Sequence, residues 1–250
     1  MKQEFERISD IKRLDFIADV LSQSLPTGAT VLDVGCGNGI ISRSLGRKGF
    51  KVLGIDVSEK AIEKAKELND LSNVNFQVMS AEQLAVSSEK YHAVVCSEVL
   101  EHLHEPQKLL QVLYQSLKNE GVLIVTVPNG KGPREVFVTK PTQNLRRKNN
   151  WLWRFVQAIK KIFGYGGTTV QSSADDLTHI QFFTKKSLEQ LANETSFRII
   201  RFGKTNFIED VFPFSIFTKR IKFLQKLDCA VAEKLPYTLN GGFVTVWKKK

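Results

Sequence analysis

The sequence has few cysteines and no long apolar run. Its three cysteines, Cys36, Cys96 and Cys229, are odd in number and lack metal-type spacing, so neither a disulfide framework nor a cysteine-based metal site is expected. No uninterrupted apolar stretch of about 18 residues is present, which argues against a transmembrane helix. The charged N-terminal stretch 1–16 lacks the apolar centre of a signal peptide. We therefore expect a reducing, cytoplasmic location.

Acidic residues are scarce in the second half of the chain. Residues 1–130 carry a net charge of −3, whereas residues 131–250 carry +13. The stretch 131–163 contains nine basic residues and a single acid, Glu135. Such asymmetry is typical of a protein with an anionic partner, such as nucleic acid, anionic lipid or an acidic substrate. A merely solvated basic face explains the charge equally well.

Strand-like and helix-like segments alternate regularly in the first 130 residues. The pattern predicts strands at 30–34, 52–55, 74–78, 93–96 and 121–127, and helices at 39–48, 58–69 and 103–117. Ser58 suits the N-cap of the second of these helices. Repeated β-α units of this kind predict a parallel sheet with helices on both of its faces.

The pattern changes after residue 130. A turn-rich, basic and aromatic stretch occupies 131–178, and periodicity resumes with a helix at 184–193. Strands at 197–202 and 242–247 are expected to add an antiparallel pair to the sheet. We interpret 1–130 and 179–250 as a single domain, 131–178 as a basic aromatic insertion, and 205–240 as a second helical insertion within the domain.

A glycine-rich loop, VLDVGCGNG at 31–39, follows the first strand. Glycines in such a turn bring backbone N–H groups and a helix N-terminus against a bound nucleotide. A dinucleotide fingerprint would place its third glycine at position 40, where the chain has Ile40. The spacing is instead G-x-G-x-G, with Asp33 two residues before the first glycine, which argues against NAD.

This loop resembles the cofactor loop of class I S-adenosylmethionine-dependent methyltransferases, and the resemblance continues downstream. Asp56 occupies the position of the family's ribose-binding acid, and Ala81 and Glu82 match the segment that flanks adenine. Ser80 stands where the family usually has aspartate, so its contact with adenine would be weaker. The segment CSEVLEHLHEP at 96–106 is similar to the EVLEH motif of the ubiquinone-biosynthesis O-methyltransferases, and 178–202 resembles the last helix-strand unit of that branch.

The resemblance implies a fold, a cofactor and a set of site residues. The implied fold is Rossmann-like α/β: a doubly wound, mostly parallel seven-stranded sheet with an antiparallel last strand, plus helical insertions. The implied cofactor is S-adenosylmethionine. The residues expected to bind it are Asp33, Gly35, Cys36, Gly37, Gly39, Asp56, Val57, Ser80, Ala81, Glu82 and Ser97.

The EVLEH segment supplies candidate catalytic groups. Glu98, Glu101 and His102 are spaced i, i+3 and i+4, so they would share one face if the segment were helical. With His179 they resemble the metal ligands of the ubiquinone-biosynthesis O-methyltransferases and of small-RNA 2′-O-methyltransferases. A divalent metal such as Mg²⁺ would then orient the acceptor oxygen. In the metal-free alternative, His102 is a general base or only polar packing, Glu101 caps a helix and Glu98 lines the cofactor pocket. We expect Glu101, His102 and His179 to be catalytic.

Two aromatic and basic stretches favour a lipid-like acceptor. Apolar residues recur at helical spacing through 152–163, beside a cluster of basic residues, which is typical of a helix lying in a membrane interface. A second such stretch spans 211–227. An ordinary lid that buries its apolar stripe is the alternative for each. We expect an anionic membrane surface to be contacted through 146–163, and peripheral membrane association to follow.

Three functions remain open at this point. The first is methyl transfer to a hydroxyl of a small or lipid-like acceptor of quinone, polyprenyl or glycolipid type. The second is RNA ribose 2′-O-methylation, which the basic composition allows, although the chain shows no recognisable RNA-binding module. The third is a non-catalytic cofactor-binding homologue, which only the serine at position 80 favours.

Overall fold

The computed structural model describes residues 7–141, 179–209, 211, 214–218 and 221–250. The strands within these ranges form one seven-stranded sheet with the order β3-β2-β1-β4-β5-β7-β6. They are β1 Thr30–Val34, β2 Lys51–Asp56, β3 Val74–Val78, β4 Tyr91–Ser97, β5 Leu117–Pro128, β6 Phe197–Lys204 and β7 Gly242–Lys249.

The described helices connect these strands. They are α1 Ile8–Ser24, α2 Ile40–Arg47, α3 Glu59–Glu67, α4 Ala81–Ala85, α5 Pro106–Ser116, α6 Lys185–Glu194, α7 Phe214–Thr218 and α8 Lys222–Lys234. Short 3-10 turns span Leu100–His102 and Tyr237–Leu239, and a π-helical turn spans Glu135–Thr139. None of the described helices is both long enough and apolar enough to cross a bilayer.

The strand directions confirm the predicted fold class. β1 to β5 pair in parallel, whereas β7 runs antiparallel to both of its neighbours, β5 and β6. The carboxyl ends of the five parallel strands therefore meet at one edge of the sheet. Because β6 ends at Lys204, opposite Phe243 of β7, the segment that joins β6 to β7 also lies at this carboxyl edge.

The central strands β1, β4 and β5 are largely buried on both faces of the sheet. Successive residues of β1 point to opposite sides, so that Val31 packs in a cluster with α1, α2 and α3, while Leu32 packs in a second cluster with α5 and α6. Strands covered on both sides need continuous apolar runs rather than alternation. This explains why the stretch 121–127, GVLIVTV, is readable as a buried strand from its composition.

The helices match the sequence-based expectations only in part. The Ser58 hydroxyl accepts a hydrogen bond from Ala61 N at 3.3 Å, which confirms the predicted N-cap. The sequence pattern does not predict α1, because charged residues interrupt its apolar stripe. The helix predicted from 103 begins later, at Pro106, since proline is favoured in the first turn of a helix. The amphipathic helix expected within 146–163 lies outside the described residues.

Candidate active site

The glycine loop adopts the tight turn that the sequence predicts. Gly35 and Gly39 have φ of 68° and 77°, in the left-handed region that favours glycine. A Cβ on Gly35 would lie 2.4 Å from Val99 Cγ2, and one on Gly39 would lie 2.3 Å from Phe76 Cζ. Side chains at these positions are therefore excluded for steric as well as conformational reasons. The contact with Val99 also places the loop against the segment that carries the EVLEH motif.

Asp56 ties the end of β2 to the glycine loop. Its Oδ2 accepts a hydrogen bond from Gly37 N at 3.0 Å, and its Oδ1 accepts one from Ser58 N at 2.9 Å. Each carboxylate oxygen keeps a further lone pair, so both could still accept hydrogen bonds from a ribose diol. Val57, the next residue, is 73% exposed, which leaves an apolar surface beside the acid.

Asp33 is buried beneath the loop. The Ser42 hydroxyl donates to its Oδ2 at 2.6 Å. Burial raises the pKa of Asp33 to about 6, the Ser42 hydrogen bond opposes this rise, and the charge of Asp56 adds to it. Burial likewise raises the pKa of the neighbouring Cys36 thiol, so this cysteine serves the loop as a small apolar group.

We expect ligand-free protein to lose stability through Asp33 as the pH rises from about 4 to about 7. The pKa of this acid is higher in the folded chain than in the unfolded one, so its neutral form favours folding, and that contribution disappears as the pH passes 6. A rise of about two pKa units corresponds to roughly 3 kcal/mol of unfolding free energy. Asp33→Asn, measured by urea unfolding, should gain stability relative to wild type over this range, and a constant difference would contradict the prediction.

The predicted adenine segment forms a short helix. Ser80 caps α4, because its hydroxyl accepts from Gln83 N at 3.4 Å while Ser80 N donates to Gln83 Oε1 at 2.8 Å. The hydroxyl is thus already engaged with the backbone, and it lowers the pKa of the exposed Glu82. Ala81 lies in the first turn of the helix. Of the remaining predicted residues, Ser97 ends β4, and its Oγ lies 2.9 Å from Thr126 Oγ1.

A second cluster combines Glu101, His102 and His179. Potential ligand atoms of these three side chains all lie within 4.8 Å of one another. The His102 and His179 rings meet edge to face, with centroids 5.2 Å apart. His179 is brought across from the far segment because the backbone N–H groups of Ile180 and Gln181 both donate to the Glu101 carbonyl, at 2.7 and 2.9 Å. The predicted combination of EVLEH with the distant histidine therefore exists in the fold.

Glu98 is not part of this cluster. The helical face that would have aligned it does not form, since only Leu100–His102 makes a 3-10 turn and Glu98 itself has φ of 58°. Its Oε1 accepts from Thr126 Oγ1 at 2.9 Å and lies 3.3 Å from Arg13 Nη1. The structure thus turns Glu98 toward α1, and the predicted helical face shared by Glu98, Glu101 and His102 was wrong.

Glu101 carries a buried carboxyl group. Its side chain is 1% exposed, and neither oxygen accepts a hydrogen bond from the described residues. Burial raises the pKa of Glu101 well above its usual value, the charges of Glu98 and Glu135 add to the rise, and Arg13 opposes it. A buried carboxyl without hydrogen bonds is costly, which is a common feature of functional sites.

Sequence reasoning missed two residues of this region. Glu135, in the π-helical turn, is buried, and its Oε1 lies 3.3 Å from Nδ1 of His179. Its only signal in the sequence is that it is the single acid of the basic stretch 131–163. Arg13 of α1 pairs with Asp10 and Glu98, and no motif marks it. Both residues become apparent only in the structure, because α1 and the segment after β5 lie at the carboxyl edge of the sheet.

A separate groove lies away from these residues. It has a volume of about 610 Å³ and is lined by residues of β2, β3 and β4, among them Lys51, Asn75, Gln77 and Tyr91. None of the predicted site residues lines it. The candidate active site is therefore the loop and cluster at the carboxyl edge, where open α/β sheets bind their ligands.

A family model described as a methyltransferase domain matches residues 3–201. The chain belongs to the methyltransferase domain family. This match confirms the family that the sequence motifs indicate, the S-adenosylmethionine-dependent methyltransferases.

Curated relatives of this methyltransferase domain are similar over about half of their length. The ubiquinone biosynthesis O-methyltransferase of Nitrosomonas europaea is 34% identical over 131 residues, which cover 50% of this chain and 55% of that protein. The protein of the same name from Neisseria meningitidis is 33% identical over 141 residues, or 52% of this chain and 56% of the relative. The reaction named for these relatives therefore does not by itself establish the acceptor of this chain.

Solved structures share the fold of this methyltransferase domain. Magnesium protoporphyrin IX methyltransferase from Synechocystis PCC 6803, with bound SAH, has a TM-score of 0.56 at 18% identity over 97% of this chain and 84% of that one. The [4+2]-cyclase SpnF has a TM-score of 0.58 at 17% identity over 94% of this chain and 80% of that one. At such identities the likeness shows the fold alone.

Proposed function

We propose that the protein transfers the methyl group of S-adenosylmethionine to a hydroxyl of a small or lipid-like acceptor of quinone, polyprenyl or glycolipid type. The observation that carries the proposal is the contact between the glycine loop and the EVLEH segment at one edge of the sheet. A cofactor held by the loop would present its methyl group next to Glu101, His102 and His179. The names of the curated relatives support a hydroxyl acceptor of quinone type.

The cofactor would be held from several sides. The glycine loop offers backbone N–H groups to its methionine end, and Arg13 at the carboxyl edge offers a guanidinium for its carboxylate. Asp56 would accept hydrogen bonds from both ribose hydroxyls, while Val57 and Ala81 border the adenine. These contacts position the sulfonium methyl group, which is most of what an in-line displacement requires.

The reaction balances without an additional reactant. The acceptor oxygen forms a bond to the methyl carbon while the carbon–sulfur bond breaks, and S-adenosylhomocysteine leaves as a neutral thioether. The hydroxyl proton must go to a base, and His102 or His179 suits that role. The buried Glu101 carboxyl beside them would stabilise a histidine that has taken up the proton.

The residues of the cluster also fit a divalent cation. Glu101 supplies a buried carboxylate that accepts no hydrogen bond from the described part of the chain, and the two histidines supply nitrogen ligands within reach of the same point. An oxygen ligand with imidazoles suits Mg²⁺ or Mn²⁺. When bound, such a cation would lower the pKa of the acceptor hydroxyl and orient its oxygen. The metal-free role for His102 remains the alternative.

Glu135 would position His179 in either reading. Glu135 Oε1 lies 3.3 Å from His179 Nδ1, outside hydrogen-bond geometry. An Nδ1–H turned toward this carboxylate would leave the Nε2 lone pair available to a metal or to the acceptor proton. We expect Glu135→Gln to weaken Mn²⁺ binding by about 10- to 100-fold, measured by titration calorimetry. Glu135→Asp should recover part of the affinity, and unchanged Mn²⁺ binding in Glu135→Gln would exclude the positioning role.

One incubation tests the proposed function. The protein is mixed with methyl-labelled cofactor and with separate lipid, soluble-metabolite and RNA fractions, each with and without EDTA. Label in a lipid or quinone fraction is the expected result. Label only in RNA would overturn the acceptor class, and cofactor binding without labelling of any fraction would favour the non-catalytic reading. Unchanged turnover in EDTA would rule out the metal.

A further inference from the structure

The segment between β6 and β7 brings two helices to the edge of the sheet that holds the active site. Thr205, Asn206 and Gly241, at the two ends of this segment, line a small cavity together with Glu98. The helices α7 and α8 lie between these ends. Both ends of the segment that carries α7 and α8 therefore lie at the active-site edge of the protein.

One side of α8 is fixed to the body of the protein. Gln225 accepts from Ile8 N, at the start of α1, at 2.9 Å, and its Nε2 donates to Thr218 O of α7 at 2.7 Å. Asp228 accepts from Phe207 N and Ile208 N at 2.7 and 2.9 Å. These contacts set the rotation of α8, because buried polar groups tolerate little displacement from their partners.

The opposite side carries exposed apolar side chains. Phe217 and Phe223 are 60% and 71% exposed, which is costly for aromatic side chains in water. We name the exposed apolar residues of these two helices and their junction the aromatic face: Phe214, Phe217, Ile221, Phe223, Leu227 and Val231. Phe223, Leu227 and Val231 recur at four-residue spacing, so they lie on one side of α8.

The charge of this segment is of one sign. Residues 211–227 contain four basic residues, Lys219, Arg220, Lys222 and Lys226, and no acid. Lys222 and Lys226 are exposed on α8, and Asp228, the next acid along the chain, is buried in the contacts that fix the helix. Aromatic and aliphatic side chains flanked by lysines are typical of helices that lie in an anionic membrane interface.

We propose that the aromatic face of α7 and α8 docks on an anionic lipid bilayer. Phenylalanines would enter the interfacial region of the bilayer, while the flanking lysines contact anionic headgroups. A second copy of the chain is a poorer occupant, because it would bring the basic residues of two such faces together. The proposal goes beyond the proposed function, and where that function involves a lipid-like acceptor, this surface would place the active-site edge at the membrane.

Vesicle binding of the full chain tests the proposal. Co-sedimentation is measured with phosphatidylcholine vesicles and with mixed phosphatidylcholine–phosphatidylglycerol vesicles at two salt concentrations. We expect preference for the mixed vesicles, and a loss of binding of at least about ten-fold in Phe217→Ser/Phe223→Ser. Lys226→Glu should weaken binding to the mixed vesicles alone, and added salt should reduce the difference between the two lipids.

A matched control distinguishes vesicle binding through the aromatic face from nonspecific adsorption of the protein to lipid. Val86 is 87% exposed in the loop before β4, so Val86→Ser should bind vesicles as the wild type does. S-adenosylmethionine binding by the double phenylalanine variant, measured by calorimetry, should be unchanged, which shows that it is folded. If the wild type bound mixed vesicles but transferred no methyl group, the proposed function would be wrong and the membrane-docking proposal would stand.

Three results would overturn the proposal. They are absence of wild-type binding to mixed vesicles, equal binding by the double variant and the wild type, and a wild-type dimer in sedimentation analysis that the double variant dissociates. The last result would assign the aromatic face to a second copy of the chain.

Discussion

Asp56→Ala is expected to raise the dissociation constant for S-adenosylmethionine by at least about 100-fold. Two hydrogen bonds from the ribose to a carboxylate contribute roughly 3 kcal/mol together, at about 1.5 kcal/mol each. The substitution also removes the acceptor of the Gly37 N–H, so the glycine loop loses a tether. Titration calorimetry with S-adenosylhomocysteine measures the effect without interference from turnover.

A surface acid provides the control for this change. Asp70, exposed and paired with Arg47 at 3.2 Å, lies outside the loop, and Asp70→Ala should bind the cofactor as the wild type does. Thermal unfolding of both variants separates loss of affinity from loss of fold. Cofactor binding by Asp56→Ala within a factor of a few of the wild type would show that this acid does not hold the ribose.

Glu101→Gln should lower turnover by about 100- to 10,000-fold, the range typical for loss of a group that assists proton transfer or holds a catalytic metal. It should leave the protein as stable as the wild type or more stable, because a buried carboxyl that accepts no hydrogen bond within the described ranges is replaced by a neutral group of the same size. A fall in kcat with a constant or higher Tm is thus the signature of a functional rather than a structural acid.

The matched control lies four residues downstream. Glu105 is exposed and pairs with Lys108, so Glu105→Gln should keep both wild-type turnover and Tm. If Glu101→Gln instead unfolded the protein at lower temperature with little change in kcat, Glu101 would be a structural residue, and the catalytic reading of the cluster would fail.

The fold alone does not decide which reaction is catalysed. A magnesium protoporphyrin IX methyltransferase and a [4+2]-cyclase are both similar in fold to this chain, which agrees with the general rule that function resides in sites carried by a fold. The assignment of activity therefore depends on particular residues. Asp56, Glu101 and His179 are the residues whose substitution would distinguish a working methyltransferase from a protein that only shares the architecture.

The predictable features of this protein are local in the sequence. β1 and β3 have the bounds that the apolar pattern predicts. β1 is buried along most of its length, whereas β3, at the edge of the sheet, has buried Val74 and Phe76 separated by the exposed Asn75. The glycine loop was readable because left-handed backbone at Gly35 and Gly39 excludes other residues. The pairing of EVLEH with His179 came from resemblance, and no local pattern connects residues so far apart in the chain.

Other features of the site depend on long-range contacts. Helical spacing grouped Glu98 with Glu101, yet Glu98 directly follows β4 in a left-handed conformation, and its carboxylate lies against Thr126 and Arg13. Glu135 reaches His179 only because the chain after β5 folds back over the carboxyl edge.

Sequence periodicity thus predicts the succession of strands along the chain, while glycine spacing and the resemblance of short motifs predict the cofactor loop and the family, because each depends on neighbouring residues. The composition of the acidic and histidine cluster, and the face of α8 that remains exposed, follow from tertiary packing. Both features depend on contacts between segments that are distant in the sequence. Local sequence patterns do not predict such contacts.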